Sequence, residues 1–382
     1  MSSIGFYNPI NLDLKKELPK LNDFELDKHQ YLIHLIYEQR ALYRVKSEFV
    51  PLKALYLRKV LRDHKPYRNN LENLGIIECD YTYIKNQKSF GLKLTDYYAD
   101  QDYNRIPIRT NKITTKILES KTDLDPNNEI HNFLFNNLQR VSIDYEQASK
   151  LLDPSDRESY LVNKIRIGKI QDQDWFFKPD EYGRVHTNLT TLSSKYRPYL
   201  DVNKESLINV DIRNSQPLFL LLTLREEIQD STIRCALFGV KEELKQYADL
   251  VQVGNLYEYF CTVYDCDRET AKKKIFTEIF GRQISKQFKN VFPNLSQVIE
   301  QIKGKDYRRV AWMMQRKESQ LMINQVCGDL LKQDKNIFLA TIHDSILTTK
   351  QNVDVTKIAI LTRFNALGIS PTLKVECLKN PD

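Results

Sequence analysis

Hydrophobic residues recur with helical spacing along much of the chain. Near 26–48 and 51–63 they return at every third or fourth position, which predicts amphipathic helices. The amino-terminal part, about residues 1–120, is therefore predicted to be mostly helical. Further helices are predicted, in chain order, over 241–250, 268–282, 311–333 and 353–367.

Short apolar runs in the carboxyl-terminal half are typical of strands. Residues 207–211 predict a buried strand, and residues 337–342 and 345–349 flank His343-Asp344 as a hairpin. Residues 372–377 predict a last strand. The order strand, helices, hairpin, helix, strand predicts an α+β fold with a small antiparallel sheet.

Composition excludes several classes of protein. Of 382 residues, 41% are hydrophobic and 28% are charged, which excludes wholesale disorder. The longest apolar run, Leu218–Leu222, is far shorter than the roughly 20 residues of a membrane span. The amino terminus has no apolar signal segment. Six scattered cysteines, without a CxxC pair, argue against a disulfide framework or structural zinc site, so a cytoplasmic protein is expected.

The charge balance is basic. Lys and Arg number 57 against 50 Asp and Glu, which gives a net charge of +7. Such a balance is common in soluble enzymes and also suits a polyanionic partner. No GxGxxG or GxxxxGK[ST] motif occurs, so a Rossmann or P-loop nucleotide site is excluded.

Three segments contain residues that could support chemistry. Asp211 ends an apolar strand just before a helix, where an aspartate alone is most often a helix cap. Asp344 lies at the hairpin tip, where an aspartate alone is most simply a turn residue. One helix face carries two cations followed by two aromatic rings, spaced four residues apart: Arg268, Lys272, Phe276 and Phe280. Such a face can grip a triphosphate, although a basic surface that runs into core aromatics is the more ordinary arrangement.

The three segments together suggest phosphoryl transfer. Asp211 and Asp344 fall on neighbouring predicted strands, as the carboxylates of a two-metal site must. Carboxylate oxygens select Mg²⁺ or Mn²⁺. The cationic helix lies between the two aspartates in sequence and could hold a triphosphate.

These segments resemble the family A DNA polymerases and the related phage-type single-subunit RNA polymerases. The spacing from Arg268 to Gly281 resembles their motif B, with Phe280 where a tyrosine is usual. Asp211 resembles the metal-binding aspartate of motif A, and His343-Asp344-Ser345 resembles motif C. The resemblance covers roughly residues 180–382, in the right order.

The resemblance implies a right-hand polymerase palm with a small antiparallel sheet, helical fingers and a helical amino-terminal module. The implied parts are a thumb-like or nucleic-acid-binding module (1–125), the thumb and first part of the palm with motif A (126–229), the fingers with motif B (230–300) and the second part of the palm with motif C (301–382).

The resemblance also implies roles for individual residues. Asp211 and Asp344 would hold two Mg²⁺ ions, with Mn²⁺ as an alternative, and Lys272 would act as general acid on pyrophosphate. The nucleotide-binding side chains would be Arg268, Lys272, Phe276, Phe280 and Gln216. The primer-template contacts would be His343, Gln320, Asn324 and Arg197. The expected partners are primer-template DNA, with RNA as the alternative, and nucleoside triphosphates, without a membrane.

Departures from the family leave the sugar open. The DNA enzymes carry a glutamate five residues after the motif A aspartate, where it excludes a ribose 2′-OH, and this chain has Gln216 there. Ser345 is typical of the RNA enzymes. DNA synthesis without proofreading is favoured, and an RNA polymerase or primase is the alternative. A second alternative is a non-catalytic nucleic-acid-binding protein on a degenerate polymerase fold.

Two basic stretches outside the motifs could contact nucleic acid. Residues 56–68 interleave cations with tyrosines, which suits phosphate contact and base stacking. Residues 303–309 precede the predicted helix over 311–333 and could contact the sugar-phosphate backbone of a template or primer. A solvated helix face is an equally good interpretation of residues 56–68, and a plain surface loop is an equally good interpretation of residues 303–309.

Overall fold

The computed structural model describes residues 4–43, 45, 47–82, 84, 89–229 and 239–378. The strands are β1 (Gly5–Pro9), β2 (Val50–Pro51), β3 (Ile77–Cys79), β4 (Gly91–Leu94), β5 (Tyr103–Pro107), β6 (Val141–Ile143), β7 (Phe177–Pro179), β8 (Val185–Thr187), β9 (Leu200–Val202), β10 (Glu205–Ser206), β11 (Ile208–Ile212), β12 (Leu339–Ile342), β13 (Ser345–Thr348) and β14 (Leu373–Cys377).

The α-helices are α1 (Leu14–Glu17), α2 (Asp23–Tyr43), α3 (Ala54–Leu61), α4 (Lys65–Asn73), α5 (Asp96–Ala99), α6 (Asn111–Lys121), α7 (Glu129–Leu138), α8 (Tyr145–Ser149), α9 (Arg157–Gln171), α10 (Asn188–Thr191), α11 (Ser215–Gln229), α12 (Val240–Val253), α13 (Leu256–Tyr264), α14 (Arg268–Phe280), α15 (Lys286–Val291), α16 (Pro293–Lys303), α17 (Arg309–Glu318), α18 (Gly328–Gln333) and α19 (Val353–Asn365). Ser194–Tyr199 and Lys350–Asn352 are 3₁₀-helices, and Ser319–Cys327 is a π-helix.

The predicted mixture of helices with small antiparallel sheets is confirmed. The helix predicted over 311–333 forms, but its middle is the π-helix between α17 and α18. Apolar spacing could not reveal this change, because the π-helix differs from the α-helix by one residue in its hydrogen-bond step. Such π segments often occur at functional sites.

The chain divides into two compact units. The first unit contains residues 1–125, 139–178 and 186–204, and the second contains residues 126–138, 179–185 and 205–382. Two stretches that the sequence placed with the first part of the palm, 139–178 and 186–204, therefore belong to the same unit as residues 1–125. The four-part functional division stays a prediction, and residues 230–238 of its fingers lie outside the described residues.

The first unit contains more strand than the helical spacing predicted. β1 pairs with β5, and β2, β4 and β3 form a second antiparallel sheet. These strands have only two to five residues, which is too short for a clear alternation of apolar and polar positions. The long helix α2 packs against β1 and α9, and most of its side chains are buried.

A buried group of charges lies inside the first unit. The Lys169 ammonium donates to Glu38 Oε1 at 2.7 Å and to Asp174 Oδ2 at 2.8 Å, and Lys121 also pairs with Asp174. Burial disfavours a charged Asp174, but the two lysines hold the pKa of this carboxyl well below its usual range. Each charge of the group thus has a partner that offsets its loss of water.

The second unit is built around one antiparallel sheet with the strand order β12-β13-β11-β14. Val210 of β11 faces Ile346 of β13, and Asp211 faces Lys374 of β14. Helix α19 packs against β11 and β13, and α11 packs against α17. The sheet therefore brings together three parts that are distant in sequence: the end of β11, the turn between β12 and β13, and the start of β14.

Among the described residues, no helix has both the length and the apolar composition that crossing a membrane requires.

Candidate active site

The sheet of the second unit brings Asp211 and Asp344 close together. Asp211 lies near the end of β11, and Asp344 lies in the two-residue turn between β12 and β13. The register pairs Val210 with Ile346, so one further step sets Asp211 opposite Ser345, beside Asp344. His343 takes a left-handed conformation (φ 56°), which lets the hairpin turn within two residues.

The electrostatics of Asp211 reflect this proximity. Partial burial and the negative charge of Asp344 raise the pKa of Asp211 to about 6. A hydrogen bond from the backbone N–H of Ile212 and the positive charge of Lys374 act in the opposite direction, while Glu376 adds to the rise. The negative charge of Asp344 beside Asp211 favours a bound cation, which would offset the repulsion between the two carboxylates.

The carboxylate oxygens of Asp211 and Asp344 are ligands of the kind that hard divalent cations prefer. Within the described residues, no group of three or more His, Cys, Asp and Glu side chains is placed to hold a metal ion. Mg²⁺ needs no such cage, because it is commonly held by one or two carboxylates together with substrate phosphates and water. Asp211 and Asp344 are the two carboxylates that could hold such a cation, and this role stays a prediction.

A cationic cavity of about 560 Å³ is lined by Arg213, two residues from Asp211 in the chain, and by Lys374, its neighbour in the sheet. Its lining contains four cations and a single carboxylate: Arg213, Arg268, Lys272, Lys374 and Glu258. Asp211 and Asp344 do not line this cavity, but Lys374, which does, is the cross-strand partner of Asp211. Its excess of positive charge suits a polyphosphate.

Helix α14 places its predicted stripe on one exposed or half-buried face. The Arg268 Nε donates to Glu258 Oε1 at 2.6 Å, and its guanidinium lies 5.4 Å from the Tyr257 ring. The Lys272 ammonium lies 5.7 Å from the centre of the Phe276 ring. The ring centres of Phe276 and Phe280 are 6.0 Å apart. The four side chains of the stripe therefore follow one another along a single face of the helix.

Gln216 lies in the first turn of α11 and is held by a buried carboxylate. Its amide nitrogen donates to Glu318 Oε2 at 3.2 Å, and Arg184 donates to both oxygens of Glu318, at 2.9 and 2.5 Å. Burial raises the pKa of Glu318, and Asp344 adds to the rise, whereas Arg184 and Gln216 lower it. This network therefore connects the Gln216 side chain to the surroundings of the carboxylate pair.

Replacing Arg184 by methionine is expected to lower the free energy of unfolding by about 3 kcal/mol, because Glu318 then remains buried without its cation. Urea denaturation followed by circular dichroism measures the change. The double variant Arg184→Met with Glu318→Met is the control and should recover most of the loss. A double variant that is no more stable than Arg184→Met would contradict this explanation.

The primer-template residues predicted from the sequence lie in different environments. Gln320 and Asn324 are exposed on the π-helix, and His343 is exposed at the hairpin turn. Arg197 lies in the 3₁₀-helix of the first unit, whereas Asp211 and Asp344 lie in the second. The roles assigned to these four residues stay predictions.

Sequence reasoning missed Arg213, Lys374, Glu318 and Arg184. Arg213 is two residues from Asp211, and Arg184 lies in a segment that the resemblance already included, so both could have been considered from position alone. Lys374 and Glu318 also lie within the stretch that the resemblance covers, but their relation to Asp211 and Gln216 depends on non-local packing.

No family model matches the sequence, and no curated protein matches it. Among solved structures, the chain is similar to the POL domain of Pol1 from M. smegmatis in complex with DNA primer-template and dNTP, with a TM-score of 0.30 and 10% sequence identity. The similarity covers 58% of this chain and 53% of that chain, so it spans about half of the neighbour.

Proposed function

We propose that the protein is a template-directed nucleotidyltransferase, most simply a minimal DNA polymerase without proofreading. The observation that supports this best is the carboxylate pair of Asp211 and Asp344 beside a cavity with four cations. The carboxylate pair suits a divalent cation, and the cavity suits the triphosphate that such a cation accompanies. In this proposal the sheet is the palm and the helices around α14 are the fingers.

The proposed reaction joins a primer hydroxyl to the α-phosphate of a nucleotide. The primer hydroxyl loses its proton to solvent and its oxygen forms a bond to the α-phosphorus, while the bond between the α-phosphorus and the oxygen that bridges to the β-phosphorus breaks and pyrophosphate leaves. Asp211 and Asp344 would hold Mg²⁺, which when bound activates the attacking hydroxyl and stabilises charge on the leaving oxygen. Arg268 and Lys272 would orient the triphosphate, and Lys272 would donate a proton to pyrophosphate.

Extension of a labelled primer on a DNA template tests this function. With Mg²⁺ and dNTPs, the purified protein should add nucleotides that are complementary to the template, and EDTA should stop the reaction. Parallel reactions with NTPs determine the preferred sugar. Absence of extension with both nucleotide types, with and without a primer, would contradict the proposal and favour a non-catalytic nucleic-acid-binding protein.

Synthesis of RNA is the second candidate for the same site. The neutral amide of Gln216 stands where the DNA enzymes of the resembled family carry a glutamate, and it is already bonded to Glu318. Its carbonyl oxygen can still accept a hydrogen bond, such as one from a ribose 2′-OH. A preference for NTPs in the extension assay would favour this candidate.

Cation binding at the pair is expected to weaken in mild acid. With the pKa of Asp211 at about 6, about three quarters of this carboxyl is protonated at pH 5.5, and protons compete with the metal. Mn²⁺ affinity of the nucleotide-free protein should therefore fall about fourfold from pH 7.5 to 5.5. Electron paramagnetic resonance of free Mn²⁺ measures it. In the Asp211→Asn control, this pH dependence should disappear; an equal dependence in both proteins would exclude Asp211 as its source.

A further inference from the structure

Four planar side chains form a continuous column on the surface of the second unit. The rings of Trp312 and Tyr182 are nearly parallel, 5.7 Å apart and inclined by 13°. The Arg308 guanidinium lies over the Trp312 ring at 5.1 Å, and the Arg316 guanidinium lies over the Tyr182 ring at 5.6 Å. Arg308, Trp312, Tyr182 and Arg316 are named here the arginine–aromatic column.

Local sequence explains how the column forms. Arg308, Trp312 and Arg316 are spaced by four residues, so they share one face at the start and along the length of α17. Tyr182 comes from a separate turn, in which Asp180 accepts hydrogen bonds from the backbone N–H groups of Tyr182 and Arg184.

Gly183 allows this turn to approach the helix closely. Its φ is +84°, and an added Cβ would lie 3.1 Å from the Cβ of Ser319. A glycine thus meets both the backbone conformation and the close approach that bring Tyr182 to the column.

The surroundings of the column are basic and accessible. Arg308, Arg309 and Arg316 are exposed, while Trp312 and Tyr182 are half-buried. Arg308 also lines a cavity of about 720 Å³, in which four cations accompany two carboxylates: Arg282, Lys303, Lys305, Arg308, Glu300 and Asp306. Arg308 pairs with Asp306, and Lys289 pairs with Glu300, so the two carboxylates of the cavity are already neutralised.

We propose that the arginine–aromatic column and the adjoining cavity bind single-stranded nucleic acid. Unpaired bases stack on aromatic rings and on guanidinium planes, and the sugar-phosphate backbone follows cations. An exposed arginine lies over one face of each ring, and a base can stack on its guanidinium plane. A duplex keeps its base faces inside the stack, so it can use the charges of this surface but not the column.

This inference deepens the proposed function, on which it rests for one point only, namely that the bound strand is the unpaired template. Binding itself requires neither Asp211 nor Asp344. The surface and the catalytic site can therefore be tested separately.

The test measures binding of labelled oligo(dT), oligo(U) and a blunt duplex by fluorescence anisotropy, with the full chain carrying Asp344→Ala to prevent incorporation. Trp312→Ala should weaken binding of the single strands about tenfold. Trp312→Phe, which keeps a ring, should stay close to the parent, as should Tyr97→Ala, which removes an exposed tyrosine of the first unit. Affinity for the duplex should change little in any of these variants.

A second readout addresses the column directly. Trp312 is one of two tryptophans, and the other, Trp175, is buried. In a Trp175→Phe variant, oligo(dT) should quench the remaining emission, and Arg316→Ala should lower the slope of log affinity against log salt by about 0.7. Circular dichroism verifies that each variant is folded.

Three results would overturn the inference. The first is an unchanged affinity of Trp312→Ala for single strands, and the second is a loss of duplex affinity in Trp312→Ala as large as the loss for single strands. The third is that poly-glutamate displaces labelled oligo(dT) as well as unlabelled oligo(dT) does, which would indicate a general anion-binding surface. A protein that does not extend a primer, yet loses single-strand binding in Trp312→Ala, would contradict the proposed polymerase function and leave this surface supported.

Discussion

Replacement of Asp344 by asparagine is expected to lower Mg²⁺-dependent nucleotide incorporation by about 10³-fold, which corresponds to about 4 kcal/mol of transition-state stabilisation. The asparagine keeps the size of the side chain but removes one of the two charges that would hold the cation. The same change removes repulsion from Asp211, so thermal stability should not decrease. Single-turnover primer extension and a melting curve measure the two effects.

Asp354→Asn is the matched control for Asp344→Asn. Asp354 lies in the same unit on α19, is largely exposed and pairs with Lys357. Its replacement changes the net charge by the same amount and should leave incorporation unaltered. Incorporation by Asp344→Asn at the parent rate would exclude the carboxylate pair as the catalytic centre, whatever the result for Asp354.

Replacement of Lys272 by alanine is expected to lower kcat/KM for the nucleotide about 10²-fold, because a positioned cation at the leaving phosphates acts mainly in the transition state. Lys272 lines the cationic cavity with Arg268 and Lys374. Lys272→Arg keeps the charge and should recover part of the activity. Steady-state extension with one nucleotide varied provides these values.

The neighbouring Lys273 provides the control within the same helix turn. It is exposed and pairs with Glu269 on the surface of α14, and it does not line the cavity. Lys273→Ala should therefore leave kcat/KM within about twofold of the parent, since isolated surface charges contribute little. Equal losses in the two variants would indicate a general effect of helix charge and not a specific phosphate contact.

Much of the second unit could be predicted from local sequence. The hairpin around His343-Asp344, the strand that ends near Asp211 and the helix from Arg268 to Phe280 all form as the spacing predicted. These elements depend on backbone periodicity and on turn residues within a few positions, and both are recorded directly in the sequence. The candidate site residues were proposed on the same local basis, and their roles stay predictions.

The amino-terminal unit was less predictable. Its strands are short, and the buried group around Lys169 joins positions that are far apart in sequence, such as Glu38 and Asp174. In a linear pattern such residues appear as ordinary surface charges. Their burial is possible only because the fold supplies each with an opposite charge.

The sequence by itself determined which residue types could carry phosphoryl chemistry, in what order they occur and on which helix or strand each lies. Only the tertiary structure set Lys374 opposite Asp211, placed Glu318 between Arg184 and Gln216, and stacked Tyr182 on Trp312. The physical reason is that helices and turns follow from local backbone preferences. The pairing of β11 with β14 and the packing of a turn on α17 follow from burial summed over many contacts that are distant along the chain.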